Sequence, residues 1–202
     1  MAVYIFDMGG VVAYNTDVFP DVFAYLGITD EQFSIFAGQD FEKLFTGKVS
    51  PDEFWQRFSA RYGKTVEEEL FSKFFNPKMD QGVVKIIKQL KVDSRVVCGT
   101  NTFDPHYDYL MSRGSYDIFD AVFASNKIGL SKPHPEFYRY ILKKEGIEPE
   151  DTIFVDDLEE NVSAASKLGI TSILFTDSKF LAQQLKAGKS QFERTAHASD
   201  HR

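Results

Sequence analysis

Cysteine is almost absent from this 202-residue chain, in which Cys98 is the single one. It lies in the apolar run "RVVCG" and has no second thiol with which to form an internal disulfide. The disulfide-rich secreted domains are therefore excluded as a class. A reducing compartment fits this composition, and we expect a cytoplasmic protein.

Long hydrophobic runs are also missing. Hydrophobic residues make up 43% of the chain, enough for a packed core. No apolar stretch, however, reaches the roughly 18 to 20 residues that a membrane-spanning helix needs. The opening residues "MAVYIFD" contain no basic segment and no signal-peptide cleavage pattern, so secretion is not expected. We expect no membrane partner.

Positive charge is scarce relative to negative charge, with 23 Lys and Arg against 30 Asp and Glu and a net charge of −7. A nucleic-acid backbone would be repelled by such a surface, so we expect no nucleic-acid partner. A small anionic substrate is compatible with this charge where a few local cations bind it.

Five short apolar runs predict β-strands, at residues 3–6, 95–99, 121–124, 152–155 and 172–175. They are continuously apolar, which is typical of a parallel sheet buried on both faces. Helical periodicity predicts helices at 82–90, 135–144 and 159–168. Strands that alternate with helices indicate an α/β fold with a parallel sheet.

Residues 15–80 interrupt this alternation of strands and helices and show no strand pattern. The sequences "TDEQ", "SPDE" and "TVEE", which begin at Thr29, Ser50 and Thr65, predict three capping boxes and thus three helix starts. The segment is rich in phenylalanine, which predicts core packing, with a second apolar core that shapes a pocket as the alternative. In α/β sheets ligands bind at the carboxyl ends of the strands. A helical insertion after the first strand would therefore cover such a site.

Polar side chains follow the first four predicted strands. They are Asp7 after the first, Thr100 and Asn101 after the second, Lys132 after the third, and Asp156 with Asp157 after the fourth. Singly, each has a structural explanation, such as capping a helix. Together they favour a site, because the carboxyl ends of parallel strands share one edge of the sheet. Adjacent acids at the end of a buried strand also repel each other unless a cation is near.

These residue types suit phosphoryl transfer. The carboxylates of Asp7 and Asp157 are the oxygen ligands that Mg²⁺ prefers. Asp7 would attack phosphorus and form an aspartyl-phosphate, which water then hydrolyses. Thr100 and Lys132 would bind the phosphoryl oxygens and offset their charge.

The sequence resembles the haloacid dehalogenase superfamily of hydrolases, most of which are phosphatases. The resemblance extends to about Leu185 and is carried by the motifs "FDMGGVV", "GTNT", "SKPHPEFY" and "VDDLEEN". It implies a Rossmann-like parallel five-stranded sheet with an inserted helical cap domain. The catalytic residues that it implies are Asp7, Thr100 and Lys132. The substrate-binding residues that it implies are Thr100, Asn101 and Lys132. The Mg²⁺ ligands that it implies are Asp7, Gly9 (through its backbone carbonyl), Asp156 and Asp157.

The expected domain organisation follows from this resemblance. We expect a catalytic core formed by residues 1–14 and 81–188, a helical cap formed by residues 15–80, and a flexible tail at 189–202. The expected substrate is a small phosphorylated metabolite, and the protein is expected to be a monomer or a homodimer. His106 and His134 are both expected at the surface. The aromatic residues of the cap either line a pocket or pack the cap; they include Phe41, Phe45, Phe54 and Trp55.

Gly9 departs from the family pattern. Phosphatases of the family usually have an aspartate there, which protonates the leaving group and later activates water. Such general acid–base catalysis contributes about 10²- to 10⁴-fold. The first interpretation is a Mg²⁺-dependent phosphatase for substrates with a good leaving group, such as a sugar 1-phosphate. Asp17 is a substitute acid in this interpretation, although a surface or cap-helix role is favoured for it.

Two other interpretations stay open. A 2-haloacid dehalogenase also lacks the second aspartate and needs no metal, but that branch generally lacks the carboxylate pair that Asp156 and Asp157 form here. A degenerate, non-catalytic protein that binds a phosphorylated ligand would have little reason to keep Asp7, whose charge repels phosphate. The sequence therefore favours the phosphatase.

Overall fold

The computed structural model describes residues 2–186, and the predicted tail at 189–202 lies outside them. The strands are β1 (Val3–Phe6), β2 (Ala13–Tyr14), β3 (Lys78–Met79), β4 (Arg95–Thr100), β5 (Ala121–Ala124), β6 (Thr152–Asp156) and β7 (Thr171–Leu174). Five of them form one parallel sheet in the order β5-β4-β1-β6-β7. The predicted fold class is confirmed.

Helices account for most of the remaining described residues. They are α1 (Phe19–Leu26), α2 (Asp30–Ala37), α3 (Asp40–Phe45), α4 (Pro51–Tyr62), α5 (Leu70–Phe74), α6 (Gln81–Leu90), α7 (Asp104–Ser112), α8 (Ser125–Ile128), α9 (Pro135–Glu145) and α10 (Glu159–Ser166). Pro149–Asp151 forms a single 3₁₀ turn, and residues 178–186 are also helical. The predicted helices at 82–90, 135–144 and 159–168 correspond to α6, α9 and α10, with ends that differ by at most two residues.

The central strands β1, β4 and β6 are buried on both faces, as their continuously apolar sequences predict, while the edge strand β7 is partly exposed. Along β1, Tyr4 and Phe6 belong to the apolar cluster that contains α6, α7 and residues 178–186. Val3 and Ile5 point to the opposite cluster, with α9 and α10. The alternation of side chains along a strand thus divides the core into two layers around the sheet.

The insertion begins and ends at a short antiparallel pair of strands. Ala13 of β2 pairs with Met79 of β3, and α1 to α5 lie between these two strands in the chain. Capping boxes at Thr29 and Ser50 begin α2 and α4, as predicted. The predicted box at Thr65 is wrong, because α5 begins later, at an N-cap formed by Glu69. The indole of Trp55 donates a hydrogen bond of 3.0 Å to Glu69, which helps to hold the carboxylate at that helix end.

Aromatic side chains form the interior of the insertion. Phe33 and Phe58 pack with ring centroids 5.2 Å apart, and Trp55 and Phe71 with centroids 4.7 Å apart. These rings join the same apolar cluster as one face of the sheet, so the insertion packs directly on the sheet layer. Aromatic burial of this kind supplies much of the stability of a small helical unit.

Helix α3 is fixed to α4 by a buried carboxylate. Asp40 contacts Arg57 at 3.0 Å and Arg61 at 2.9 Å, and hydrogen bonds from these guanidinium groups lower the pKa of Asp40. These ion pairs help to position α3, whose last residue, Phe45, lies near the carboxyl ends of the sheet strands. None of the helices within residues 2–186 is long and apolar enough to cross a bilayer.

Candidate active site

Asp7 lies one residue past the end of β1. Its backbone N–H continues the sheet by donating to the carbonyl of Val155 at 2.9 Å, which fixes where the side chain emerges. Its Oδ1 accepts a hydrogen bond of 2.7 Å from the backbone N–H of Met8. Asp7 is only 7% exposed, so its carboxylate is largely shielded from bulk solvent.

Lys132 bridges Asp7 and Asp156. Its ammonium nitrogen lies 3.0 Å from Oδ2 of Asp7 and 2.7 Å from Oδ2 of Asp156, and its side chain is fully buried. The Lys132–Pro133 peptide bond is cis. A buried ammonium is stable only when charges of opposite sign lie against it, and the two carboxylates meet that condition.

Asn101 holds the backbone of Lys132. Its amide nitrogen donates to the carbonyl of Lys132 at 2.8 Å, and its amide oxygen accepts from the N–H of Lys132 at the same distance. This pair of bonds connects the end of β4 to the loop that carries the lysine. A contact between Asn101 and substrate stays a prediction, and the observed bonds favour a positioning role.

Asp156 has a partner on each oxygen. Oδ1 accepts hydrogen bonds from the backbone N–H of Leu158 at 2.9 Å and from the side-chain amide of Asn161 at 3.0 Å, while Oδ2 faces Lys132. Asn161 was not among the predicted site residues. It occurs in the quoted motif "VDDLEEN", five residues after Asp156, which places it on the first turn of α10.

Three carboxylates converge beyond the ends of β1 and β6. One oxygen from each of Asp7, Asp156 and Asp157 lies within 4.8 Å of the others. Hard divalent cations such as Mg²⁺ bind through oxygen ligands of this kind, and three acids at such spacing are electrostatically costly without a cation. The donor set therefore fits Mg²⁺.

Gly10 makes the approach of Asp157 possible. Its φ is +74°, and a β-carbon at this position would lie 2.0 Å from Oδ2 of Asp157. Only glycine accommodates both the left-handed backbone and the close carboxylate. Gly9 differs, because its φ lies outside the left-handed range and a β-carbon there would meet Thr16 Oγ1 at 3.2 Å.

Burial and charge shift the pKa values of these groups. Burial raises the pKa of Asp7 to about 7; Lys132 opposes this shift, while Asp156 and Asp157 add to it. Burial also raises the pKa of Asp157, with a further contribution from Asp156. Burial lowers the pKa of Lys132, but Asp7 and Asp156 outweigh it and the net shift is upward. The lysine therefore stays an ammonium, and the carboxylates carry more repulsion than one lysine offsets.

An open cavity of about 640 Å³ covers these groups. It is lined by Asp7, Gly9, Gly10, Asn101, Lys132, Asp157 and Asn161 from the core, and by Tyr14, Asn15, Thr16, Asp17, Phe19, Phe45 and Leu158. Thr100 is buried and lines a smaller adjoining cavity of about 130 Å³, which it shares with Gly9, Asn101 and Phe45. The structure thus brings all the predicted site residues to one region, and their individual roles stay predictions.

The prediction that His106 lies at the surface is wrong. It is 8% exposed, stacked on Phe75 with ring centroids 3.6 Å apart, and its Nε2 lies 3.2 Å from the carbonyl oxygen of Phe71. Burial lowers the pKa of His106 to about 4, so it is neutral at pH 7. The spacing of Phe103, His106 and Leu110 on one helical face was the available signal. His134 is exposed, as predicted.

Asp17 and some aromatic residues of the insertion line the main cavity, while other aromatic residues pack its interior. Asp17 is exposed, lines the main cavity, and accepts a hydrogen bond of 3.0 Å from the N–H of Phe19 at the start of α1. Phe54 and Trp55 are buried and pack the interior of the insertion, whereas Phe45 lines the cavity above Asp7. Both sequence alternatives for the aromatics therefore hold, for different residues.

Comparison with known proteins points to one family. The family model of haloacid dehalogenase-like hydrolases matches residues 1–169. A sesquiterpene phosphatase of Aspergillus oryzae is 30% identical over 194 residues, which cover 90% of this chain and 93% of that protein. A D-ribitol-5-phosphate phosphatase of Bacteroides thetaiotaomicron is 29% identical over 183 residues, which cover 82% of this chain and 87% of that protein.

A solved structure shows the same fold. A haloacid dehalogenase family enzyme from Bacteroides thetaiotaomicron, in complex with magnesium and inorganic phosphate, superposes with a TM-score of 0.71 at 22% identity. The match covers 87% of this chain and 94% of that one.

Proposed function

The chain belongs to the haloacid dehalogenase-like hydrolases, and from this premise we propose that it is a Mg²⁺-dependent phosphatase that acts on a small phosphorylated metabolite through an aspartyl-phosphate at Asp7. The observation that carries the proposal is the convergence of Asp7, Asp156 and Asp157, of which Asp7 and Asp156 contact the buried ammonium of Lys132. We place this activity in the cytoplasm, in a monomer or homodimer.

The proposed metal ligands are the carboxylates of Asp7, Asp156 and Asp157 and the backbone carbonyl of Gly9. When bound, Mg²⁺ would offset the repulsion between an anionic phosphate and the carboxylate that attacks it. The fit of three oxygen donors supports this assignment, and so does the solved relative that binds magnesium together with phosphate.

Asp7 is the proposed nucleophile. One carboxylate oxygen forms a bond to phosphorus while the ester bond to the leaving oxygen breaks, and the leaving group departs with the bonding electron pair. Water then attacks the phosphorus and releases inorganic phosphate, which regenerates the Asp7 carboxylate. The hydrogen bonds from Met8 and Lys132 hold both oxygens of Asp7 and thus fix its direction of attack.

Lys132 and Thr100 are the proposed partners of the phosphoryl oxygens. A fixed ammonium in a buried site stabilises charge on those oxygens better than a mobile surface cation, because it needs no reorganisation. Asn101 positions Lys132 through the two backbone hydrogen bonds described above.

Gly9 limits the leaving groups that the enzyme can expel. With no carboxylic acid at this position, the leaving oxygen departs as an anion or is protonated by solvent. Substrates whose leaving group has a low pKa are therefore favoured, as for a sugar 1-phosphate. The two phosphatase relatives act on different compounds, a sesquiterpene and a sugar-alcohol phosphate, so their names alone do not select a substrate class.

We propose that residues 1–14 and 81–188 form the catalytic core and residues 15–80 the cap. The short β2–β3 pair, through which the chain passes into and out of the insertion, supports these boundaries. The cap contributes Asp17, Phe19 and Phe45 to the walls of the main cavity, which supports a role in substrate selection.

Hydrolysis of p-nitrophenyl phosphate tests the proposal, because its leaving group needs no protonation. We expect turnover that requires Mg²⁺ and is lost with a chelator or in Asp7→Asn. The matched control is Asp151→Asn, an exposed aspartate just before the opposite end of β6, which should keep full activity. Hydrolysis that persists with chelator would overturn the Mg²⁺-dependent mechanism, and activity that appears only with 2-chloropropionate would favour a dehalogenase.

A binding measurement separates the remaining alternative. A degenerate protein would bind inorganic phosphate without turning over any phosphate ester. The proposed enzyme should form a phosphorylated species at Asp7 that can be trapped in an acid quench and detected by mass spectrometry.

A further inference from the structure

A second cavity, of about 350 Å³, lies within the helical insertion next to the main cavity. Its size is at the lower end of the range typical of small-molecule sites. Four phenylalanines from α1, α2 and α3 dominate its lining. We call it the aromatic cavity; its lining residues are Phe19, Phe23, Phe33 and Phe41, with Asp17, Pro20, Asp30, Ser34, Ala37 and Gly38.

The aromatic walls are held in place by one another. Phe19 contacts Phe41 and Phe33 edge to face, with ring centroids 5.4 Å and 5.7 Å apart, and Phe33 contacts Phe41 at 5.8 Å. Phe33 is almost fully buried. Rings packed in this way form a preorganised apolar surface, so a ligand that binds there has little ordering to impose.

The aromatic cavity adjoins the main cavity, which contains the proposed site of chemistry. Asp17 and Phe19 line both it and the main cavity that contains Asp7. Phe19 also lines the small cavity next to Thr100. The aromatic cavity is thus the apolar space next to a phosphate bound at Asp7, and a group attached to that phosphate would enter it past Phe19.

The charges around the two cavities exclude a second anionic group. The charged residues that line the aromatic cavity are Asp17 and Asp30, both acidic. Among residues 2–186, Lys132 is the one cation that lines the main cavity, and it is already paired with two carboxylates. A further phosphate or carboxylate on the substrate would meet repulsion without a compensating cation.

We propose that the aromatic cavity binds the uncharged, apolar part of the substrate, so that this enzyme acts on phosphate monoesters of phenols and of other apolar compounds whose leaving oxygen has a low pKa. The inference rests on the proposed phosphatase activity and deepens it by naming a substrate class. Such a substrate differs from a sugar phosphate, because the hydroxyl groups of a sugar would find few hydrogen-bonding partners among the phenylalanines.

A series of 4-alkylphenyl phosphates tests this inference. Phenyl, 4-butylphenyl and 4-octylphenyl phosphate share nearly the same leaving-group basicity and differ mainly in apolar length. Each methylene buried contributes roughly fourfold in binding. We expect kcat/KM to rise at least tenfold from the phenyl to the butyl compound. A flat series, with phenyl phosphate still hydrolysed, would overturn the inference and leave the phosphatase standing.

A variant that fills the cavity makes the test specific. Ser34 is exposed and lines the aromatic cavity, so Ser34→Trp places an indole in it from the rim. The ratio of kcat/KM for 4-octylphenyl over phenyl phosphate should fall toward one. Ile35→Trp is the matched control: it adds the same ring on the same helix, at a position that is 65% exposed and outside the cavity, and should keep the wild-type ratio.

Binding of non-hydrolysable phosphonates tests the inference even if the enzyme hydrolyses none of these esters. By calorimetry in the presence of Mg²⁺, 4-octylphenyl phosphonate should bind wild type and Ile35→Trp at least tenfold more tightly than phenyl phosphonate does. Ser34→Trp should abolish that difference. Equal affinities for the two phosphonates in wild type would overturn the aromatic cavity as a substrate site.

Discussion

The ammonium nitrogen of Lys132 lies 2.7 Å from Oδ2 of Asp156, and neither side chain is exposed to solvent. Asp7 completes the arrangement on the other side, 3.0 Å from the same nitrogen. Lys132 is therefore a structural cation as well as a proposed catalytic one. Its removal would leave two buried carboxylates facing each other.

Lys132→Met should destabilise the fold and abolish turnover. Removing one partner of a buried ion pair typically costs about 3 to 5 kcal/mol. Urea unfolding, with and without Mg²⁺, measures this loss. We expect added Mg²⁺ to stabilise the variant more than the wild type, because the bound cation replaces charge that the lysine supplied. Equal stability of variant and wild type would mean that the carboxylates do not need the ammonium.

The double variant Lys132→Met/Asp156→Asn serves as the control. It removes the charge of one of the two carboxylates that contact the lysine. Part of the free energy of unfolding that Lys132→Met loses should therefore return. Additive losses would indicate that Lys132 and Asp156 are not coupled.

The residues at the strand ends could be predicted because the topology places them. Once β1, β4 and β6 are parallel neighbours, Asp7, Thr100 and Asp156 must emerge at one edge of the sheet. The apolar runs that mark these strands are local signals, and the strand bounds differ from the predicted ones by at most one residue.

Contacts between distant segments could not be predicted. The burial of His106 depends on α5 and the residues that follow it, since Phe71 and Phe75 form its surroundings. The double hydrogen bond between Asn101 and Lys132 depends on the path of the loop between α8 and α9. The capping pattern at Thr65 failed for a similar reason, because Glu69, bonded to Trp55, begins the helix instead.

Gly9→Asp should restore a general acid and extend the range of substrates. The φ of Gly9 lies outside the left-handed range, and the contact of its β-carbon with Thr16 Oγ1 at 3.2 Å needs only a small adjustment. We expect hydrolysis of alkyl phosphates to rise by at least about tenfold, toward the roughly 10²- to 10⁴-fold that general acid–base catalysis typically contributes. Aryl phosphates, which need less protonation, should gain less.

Gly9→Asn is the matched control for this change. It has nearly the same size but cannot donate a carboxylic proton, so it should not favour alkyl substrates. The measurement is kcat/KM for an alkyl and an aryl phosphate in all three proteins. Equal gains on both substrates would show that position 9 is not close enough to the leaving group to act as an acid.

Gly10→Ala should impair Mg²⁺-dependent activity through Asp157. The new β-carbon would lie 2.0 Å from Oδ2 of Asp157 and must displace that carboxylate. Moving a catalytic group by about 1 Å can cost roughly 10²-fold in rate. Titration of activity with Mg²⁺ should show a higher half-saturating concentration.

Gly27→Ala separates the clash from backbone strain. Gly27 has a similar φ of +67°, but a β-carbon there meets no atom within 4 Å. Both variants therefore carry the cost of a left-handed alanine, about 1 to 2 kcal/mol, and only Gly10→Ala should weaken the response to Mg²⁺. If the two variants respond alike, Asp157 does not depend on the space that Gly10 leaves.

His106 should make the fold sensitive to mild acid. Its pKa is lowered from 6.5 to about 4 by burial, so between these pH values the unfolded chain binds a proton that the folded chain excludes. Stability therefore falls as the pH drops through this window, by about 3 kcal/mol in total from this residue. His106→Gln keeps an amide donor for the carbonyl of Phe71 and does not titrate. Urea unfolding of both proteins from pH 7 to pH 4.5 isolates the contribution of His106, because the shifted pKa of Asp7 acts equally in both. The wild type should lose stability more steeply than the variant, and parallel curves would place the imidazole in contact with water.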